Sequence, residues 1–170
     1  MLQQGRSGRI TDLDGLSSIF ARNCSVRRIT RPEASAFLDA NHRLGSTGGR
    51  YFYGLFVDRT TGAAETLLPP GTLVAVASFS TPRCWERDGR RIRSYEWIRY
   101  ASVSGFRVTG GMSRLLAAFV EEVRPDDVMS YADVSWPDGG EAYRTLGFKS
   151  EGLVSRGTFT CEKFRLRFDV

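Results

Sequence analysis

Residues 95–123 read YEWIRYASVSGFRVTGGMSRLLAAFVEEV, and the fold turns on this stretch. Its second half is the clearest helix in the chain. Met112, Leu115, Leu116, Phe119, Val120 and Val123 recur at i, i+3, i+4, i+7, i+8 and i+11, while Arg114, Glu121 and Glu122 lie off that stripe. Its first half alternates as a strand does. Tyr95, Trp97, Arg99, Ala101 and Val103 are predicted on one side, and Glu96, Ile98, Tyr100 and Ser102 on the other.

Between strand and helix lies a loop with two adjacent glycines, Gly110 and Gly111. Glycine lets a backbone approach a ligand closely, and the unpaired amides of a first helical turn favour an anion. Arg107, three residues earlier, adds a positive charge and Ser113 a hydroxyl. The same glycines also read as nothing more than a tight strand-to-helix turn.

Outward from this stretch, the chain supplies the rest of a mixed sheet. Residues 24–30 (CSVRRIT) read as a strand, and Arg31-Pro32-Glu33 opens a helix whose apolar face is Ala34, Phe37 and Leu38. It ends at Asn41-His42, before the glycine-bearing loop 43–50. Residues 51–57 and 73–80 are strands joined by a long exposed turn, 58–71. Residues 81–91 read as a second long turn with Asp88-Gly89 at its tip. After the helix, 128–133 (VMSYAD) is a short strand, parallel to the one before it because a helix intervenes. A short helix over 138–146 stops at Gly147, and strands 148–154 and 158–168 close the chain. The predicted architecture is a single-domain α/β fold with a mixed, twisted sheet of about seven strands flanked by helices. Residues 1–22, polar at their start, are expected to be a flexible N-terminal segment, and 23–170 the domain.

Composition narrows the function classes. No run of 18 apolar residues exists, so no membrane helix is expected, and residues 1–15 lack the apolar segment of a secretion signal. A cytoplasmic protein is the expectation. Cys24, Cys84 and Cys161 are too widely spaced for a disulfide framework or a zinc knuckle. Of the 24 basic residues only Lys149 and Lys163 are lysines, and the net charge is +5. Arginine grips phosphates bidentately, which suits a polyanionic partner, although genomic base composition also enriches it. Arg83, Arg87, Arg90, Arg91, Arg93, Arg99 and Arg107 face only Glu86, Asp88 and Glu96 within one window. That window is a candidate surface for double-stranded DNA, or a solvated turn.

The element order, with a glycine loop after the fourth strand, resembles the GNAT (Gcn5-related N-acetyltransferase) superfamily. In that family the loop runs Gln or Arg, two residues, Gly, one residue, then Gly or Ala, and its amides hold the pyrophosphate of acetyl-CoA. Arg107-Val108-Thr109-Gly110-Gly111-Met112 keeps the Arg and the first Gly but has Met112 at the last, small position. Tyr143-Arg144-Thr145-Leu146-Gly147-Phe148 is similar to the family's Y-x-x-x-G-F segment, whose tyrosine faces the thiol end of the cofactor and serves as general acid. Within the superfamily the chain resembles the Mom-like DNA-modification proteins of bacteriophages. Residues 37–42 (FLDANH), 108–116 (VTGGMSRLL) and 130–136 (SYADVSW) carry that likeness. It implies an acyl-CoA-dependent enzyme acting on the exocyclic amine of adenine in DNA, with His42, Asp133 and Tyr143 required, and an iron ion as a candidate cofactor.

Acyl transfer to an amine needs a group to take a proton from the attacking nitrogen and an acid for the leaving thiolate. Asp133 or His42 is the candidate for the first task and Tyr143 for the second. His42 and Asp133 are also the candidate metal ligands, since imidazole and carboxylate suit iron. Each has a plainer reading, His42 as a helix end and Asp133 as a loop cap. Trp136, beside Asp133, is a candidate stacking surface for a flipped base, and Arg83, Arg87, Arg90, Arg91 and Arg99 for phosphates. An ordinary amine N-acetyltransferase and an inactive nucleic-acid-binding module are the alternative functions, and a homodimer is a candidate assembly of the chain.

Overall fold

The computed structural model describes residues 17–60, 67–136 and 139–168. In chain order these form β1 (Ser17–Phe20), a 3-10 turn (Ala21–Asn23), β2 (Cys24–Arg28), α1 (Arg31–Asn41), β3 (Tyr51–Val57), β4 (Leu73–Phe79), β5 (Arg83–Arg87), β6 (Arg90–Ser102) and β7 (Phe106–Thr109). There follow α2 (Gly111–Val123), β8 (Asp127–Asp133), α3 (Glu141–Thr145), β9 (Lys149–Arg156) and β10 (Phe159–Arg167). Among the described residues no helix is long and apolar enough to cross a membrane.

The main sheet runs β2-β3-β4-β6-β8-β10-β9, with β5 also paired to β6. The early strands are an antiparallel meander, and β6 and β8 are parallel across the α2 crossover, as expected. This is the predicted mixed α/β architecture. Helices cover both faces. α2 and α3 place Leu115, Phe119 and Tyr143 in the larger core with Phe79, Trp97 and Phe164. α1 places Ala34 and Leu38 against Phe52, Val76 and Ala101 on the other side.

Three expectations need correction. The first concerns residues 81–91, which are not a long turn. β5 and β6 pair right up to Asp88-Gly89, where Asp88 has φ of 52° and Gly89 of 75°, the left-handed pair of a two-residue hairpin. β6 is therefore 13 residues long.

The second concerns the strict alternation of residues 95–103. Phe79 pairs with Trp97 but its neighbour Ser78 pairs with Arg99, so Ile98 is an extra residue, a β-bulge. Alternation would have sent the Arg99 guanidinium into the core beside Trp97, at a large desolvation cost. The bulge instead turns Arg99 to the α1 face and brings Tyr100 round to the α2 face, with its ring 6.3 Å from that of Trp97.

The third concerns the N-terminal segment. Residues 17–20 of it form β1, parallel to β7, with Ile19 opposite Val108, and Ile19 and Ala21 are buried. Arg114 of α2 donates to the carbonyls of Ala21 (3.1 Å) and Cys24 (3.2 Å) and holds this segment against the helix. Residues 1–16 lie outside the described residues, as do 61–66 of the exposed turn.

Candidate functional site

α1 and α2 begin differently. Thr30 and Glu33 form a reciprocal capping box that satisfies the first amides of α1. α2 has no side-chain cap: its N-cap is Gly110, with φ of 79°, and its first bond is Arg114 N to Gly110 O at 3.1 Å. The amides of Gly111, Met112 and Ser113 therefore precede the first intrahelical bond and have no capping side chain.

Those three residues border a cavity of about 360 Å³. Gly110, Gly111, Met112 and Ser113 form one wall, and Ala142 of α3 with Leu146 just after that helix form another. Gly111 is where the backbone comes closest: a Cβ there would lie 2.6 Å from the Tyr100 hydroxyl and 3.1 Å from Val108. The position that must be small is thus Gly111, one residue before Met112, and Met112 simply lines the cavity. An uncapped helix start, a left-handed glycine and a cavity between two helices suit a pyrophosphate-bearing cofactor such as acetyl-CoA.

Beside this cavity the sheet opens. β6 and β8 pair over residues 94–96 and 127–129, and the ladder stops there although both strands continue. Ser130 bridges the gap, its Oγ 3.0 Å from the Trp97 carbonyl and 2.8 Å from the Tyr143 hydroxyl. A carbonyl only accepts and a serine has one proton. Ser130 therefore donates to Trp97 and Tyr143 donates to Ser130. Tyr143 does not line the 360 Å³ cavity. It is packed against Trp97, Phe148 and Phe164, and its hydroxyl points at the gap.

Asp133 ends β8 and is buried. It accepts from the Ser135 amide (3.0 Å) and hydroxyl (2.6 Å), and Arg43 Nη2 reaches it at 3.3 Å. Burial pushes its carboxyl up, but the Ser135 hydrogen bonds and Arg43 outweigh burial and hold it below the usual carboxylate range. Such a group stays ionised and is a weak base, better suited to accepting a hydrogen bond than to removing a proton. The Arg43 guanidinium also covers the Trp136 ring, 4.5 Å from its centroid. A smaller cavity of about 200 Å³ runs between Asp133, Trp136 and Glu141, and Glu141 also borders the larger one.

His42 is buried at the end of α1, where its Nδ1 accepts from the Leu44 amide at 3.0 Å. It is the neighbouring Arg43 that meets Asp133. No group of three His, Cys, Asp or Glu among the described residues is placed to hold a metal, so the iron expectation finds no donor set there.

On the α1 face lies another cavity, of about 370 Å³, bordered by Glu96, Ile98, Arg99, Tyr131, Arg156 and Phe159. The bulge at Ile98 is what turns Arg99 towards this face, where its Nε donates to Gly45 O at 3.2 Å. Two cavities thus flank residues 97–100 from opposite sides.

Of the predicted residues, Gly110, Gly111 and Ser113 line the first cavity, Arg99 the α1-face cavity, and Asp133 and Trp136 share the smaller one. Arg107 is exposed on β7 opposite Ser18 and lines none of these cavities. Arg87, Arg90 and Arg91 are not brought to the site. They sit at the hairpin tip, and ten residues of strand put Arg90 about 33 Å from Tyr100. Arg83 is opposite Ser94, before the gap. Sequence reasoning missed Arg43, Ser130, Glu96 and Arg156. Ser130 was within reach, since a serine inside an apolar strand must find a partner.

No family model matches the sequence, and no curated protein does. Solved structures do match in shape. Arabidopsis thaliana NAA60 in complex with acetyl-CoA is 11% identical with a TM-score of 0.60, covering 86% of this chain and 99% of its own. Spermidine/spermine N-acetyltransferase SpeG from Vibrio cholerae is 10% identical with a TM-score of 0.57, covering 86% and 94%. Arabidopsis thaliana Naa50 with the bisubstrate analogue CoA-Ac-MVNAL is 10% identical with a TM-score of 0.57, covering 86% and 99%. With its sheet opened between β6 and β8 and an uncapped helix beside the opening, the chain has the fold of the GNAT acetyltransferases.

Proposed function

We propose that this chain is an acyl-CoA-dependent N-acyltransferase that takes its acyl donor on the α2/α3 face and an amine acceptor on the α1 face. The observation that carries this reading is the 360 Å³ cavity at the uncapped start of α2, beside the gap that Ser130 and Tyr143 bridge. Gly110, Gly111, Met112 and Ser113 would hold the pyrophosphate through their amides. The cofactor supplies an activated acyl thioester. Tyr143, its hydroxyl aimed at the gap, gives its proton to the leaving coenzyme A thiolate. The attacking nitrogen loses its proton to water, which restores Tyr143, and Asp133 accepts a hydrogen bond from an N–H of the amine. Titration with acetyl-CoA tests the reading, and no binding at millimolar cofactor would sink it.

The charge of the α1-face cavity favours a finer reading. Arg99 and Arg156 stand against Glu96 there, which repels a polycation and attracts an acceptor that carries phosphates. On that charge, and on the likeness of residues 130–136 to the Mom-like proteins, we infer that the acceptor is the N6 amine of adenine in DNA. A base flipped from the duplex would reach the cavity, and Arg83, Arg87, Arg90 and Arg91 would hold phosphates farther along β6. Plasmid co-expressed with this chain, digested to nucleosides and weighed, is the test. Only unmodified deoxyadenosine would count against DNA modification and leave a small or protein amine as the acceptor.

A further inference from the structure

The α1-face cavity is partly filled by one of the chain's own side chains. The Arg156 guanidinium lies 4.1 Å from the centroid of the Tyr131 ring, and its Nη1 is 3.1 Å from Glu96 Oε1. Both contacts use what is particular to that group, a flat π-delocalised face and N–H donors in its plane. The Tyr131 ring lies beneath the guanidinium carbon, and Glu96 accepts from an N–H.

We propose that Tyr131 and Glu96 form a binding slot for a flat, amino-bearing group of the acceptor, which Arg156 fills until that acceptor arrives. The acceptor role rests on the acyltransferase reading above. An amino-substituted heterocycle and a guanidinium present the same surface, a stackable face with N–H donors at the rim, and either can replace the Arg156 head group. The rim suits such a guest, because Leu44 and Phe159 border the cavity and are both exposed, at 42% and 50%. Three facts make the exchange easy. The Arg156 side chain is 47% exposed, so its ion pair is weakly held in water. Arg156 is the last residue of β9, beside the turn at Gly157, so its side chain can swing out without breaking a strand. The displaced guanidinium also keeps its charge at the cavity mouth, available to an anionic part of the same acceptor.

The slot also explains a feature of β6. Glu96 and Ile98 share a face by alternation, and the bulge adds Arg99 to it, so one short segment presents a carboxylate, an apolar side chain and a guanidinium to one cavity. Tyr131 faces it from β8, across the gap that Ser130 bridges.

The test uses the full chain and two probes, adenosine and agmatine, each titrated calorimetrically into wild type, Arg156→Ala, and the double variants that add Tyr131→Ala or Glu96→Gln. Opening the slot with Arg156→Ala should tighten binding of at least one probe tenfold or more. Adding Tyr131→Ala or Glu96→Gln should abolish that gain. A gain for adenosine assigns the slot to a heterocycle, and a gain for agmatine assigns it to a guanidinium. No gain with either probe, or a gain that survives loss of Tyr131, overturns the proposal. Arg156→Ser repeats the opening step, with a thermal melt to show that each variant folds. A parallel titration with acetyl-CoA separates the two readings. Failure of wild type to bind it removes the acyltransferase function and the acceptor role, while the probe arms still decide the slot.

Discussion

Tyr100 and Gly111 are in close contact at the wall of the cofactor-side cavity: a Cβ on Gly111 would stand 2.6 Å from the Tyr100 hydroxyl, and Tyr100 is itself buried. The ring is locked among Trp97 and the core, so the helix start cannot recede without moving β6. Gly111→Ala should therefore cost about 1–3 kcal/mol of stability, the range for overpacking. It should also weaken acetyl-CoA binding at least tenfold. Calorimetry on the folded variant checks this, and unchanged affinity would separate Gly111 from the cofactor site.

Ser130 and Tyr143 give a kinetic prediction. If the Tyr143 hydroxyl is the proton donor, Tyr143→Phe should fold, lower kcat at least tenfold, and leave KM for acetyl-CoA within about threefold. Equal loss in both parameters would point to misplaced binding instead. Ser130→Ala leaves the Trp97 carbonyl and the Tyr143 hydroxyl without the partner that joins them, and urea unfolding should show a loss of about 1–3 kcal/mol.

Asp133 predicts a pH dependence. Its carboxyl titrates lower in the fold than in the unfolded chain, so it stabilises the fold in its ionised form. That contribution is fully present above the ordinary aspartate value of about 3.9 and is lost as pH falls through the depressed folded value. Asp133→Asn should therefore lower Tm at neutral pH, by a loss of about 1–3 kcal/mol. The gap to wild type should close as the medium is acidified below about pH 4. A gap that stays constant into acid would mean that Asp133 does not titrate low.

The hairpin arginines are separable from the catalytic end of the sheet. Arg90→Ala with Arg91→Ala should leave acetyl-CoA binding unchanged, because the tip is about 33 Å along β6 from Tyr100. If these residues hold phosphates, DNA binding should weaken and the slope of log affinity against log salt should fall by about 2. Retention of the full slope would return the hairpin to the status of a solvated turn.

How much of this was legible in the chain depends on the range of the forces involved. The amphipathic period of 111–123, the helix opening at Arg31-Pro32-Glu33, and the glycine pair at Gly110 and Gly111 are local, and each is visible in consecutive residues. They determine the strand-loop-helix unit, the parallel crossover and the uncapped helix start. Tertiary structure decided the rest. β1 could not be read from the polar residues around it, because it exists only as a partner for the free edge of β7. The bulge at Ile98 is set by the pairing of β6 with β4, and it reversed the faces of Arg99 and Tyr100. The meetings of Arg43 with Asp133, and of Arg156 with Glu96 and Tyr131, join residues far apart in sequence. Electrostatic and packing contacts of that kind follow from where the strands end and diverge, and no local pattern of residues records it.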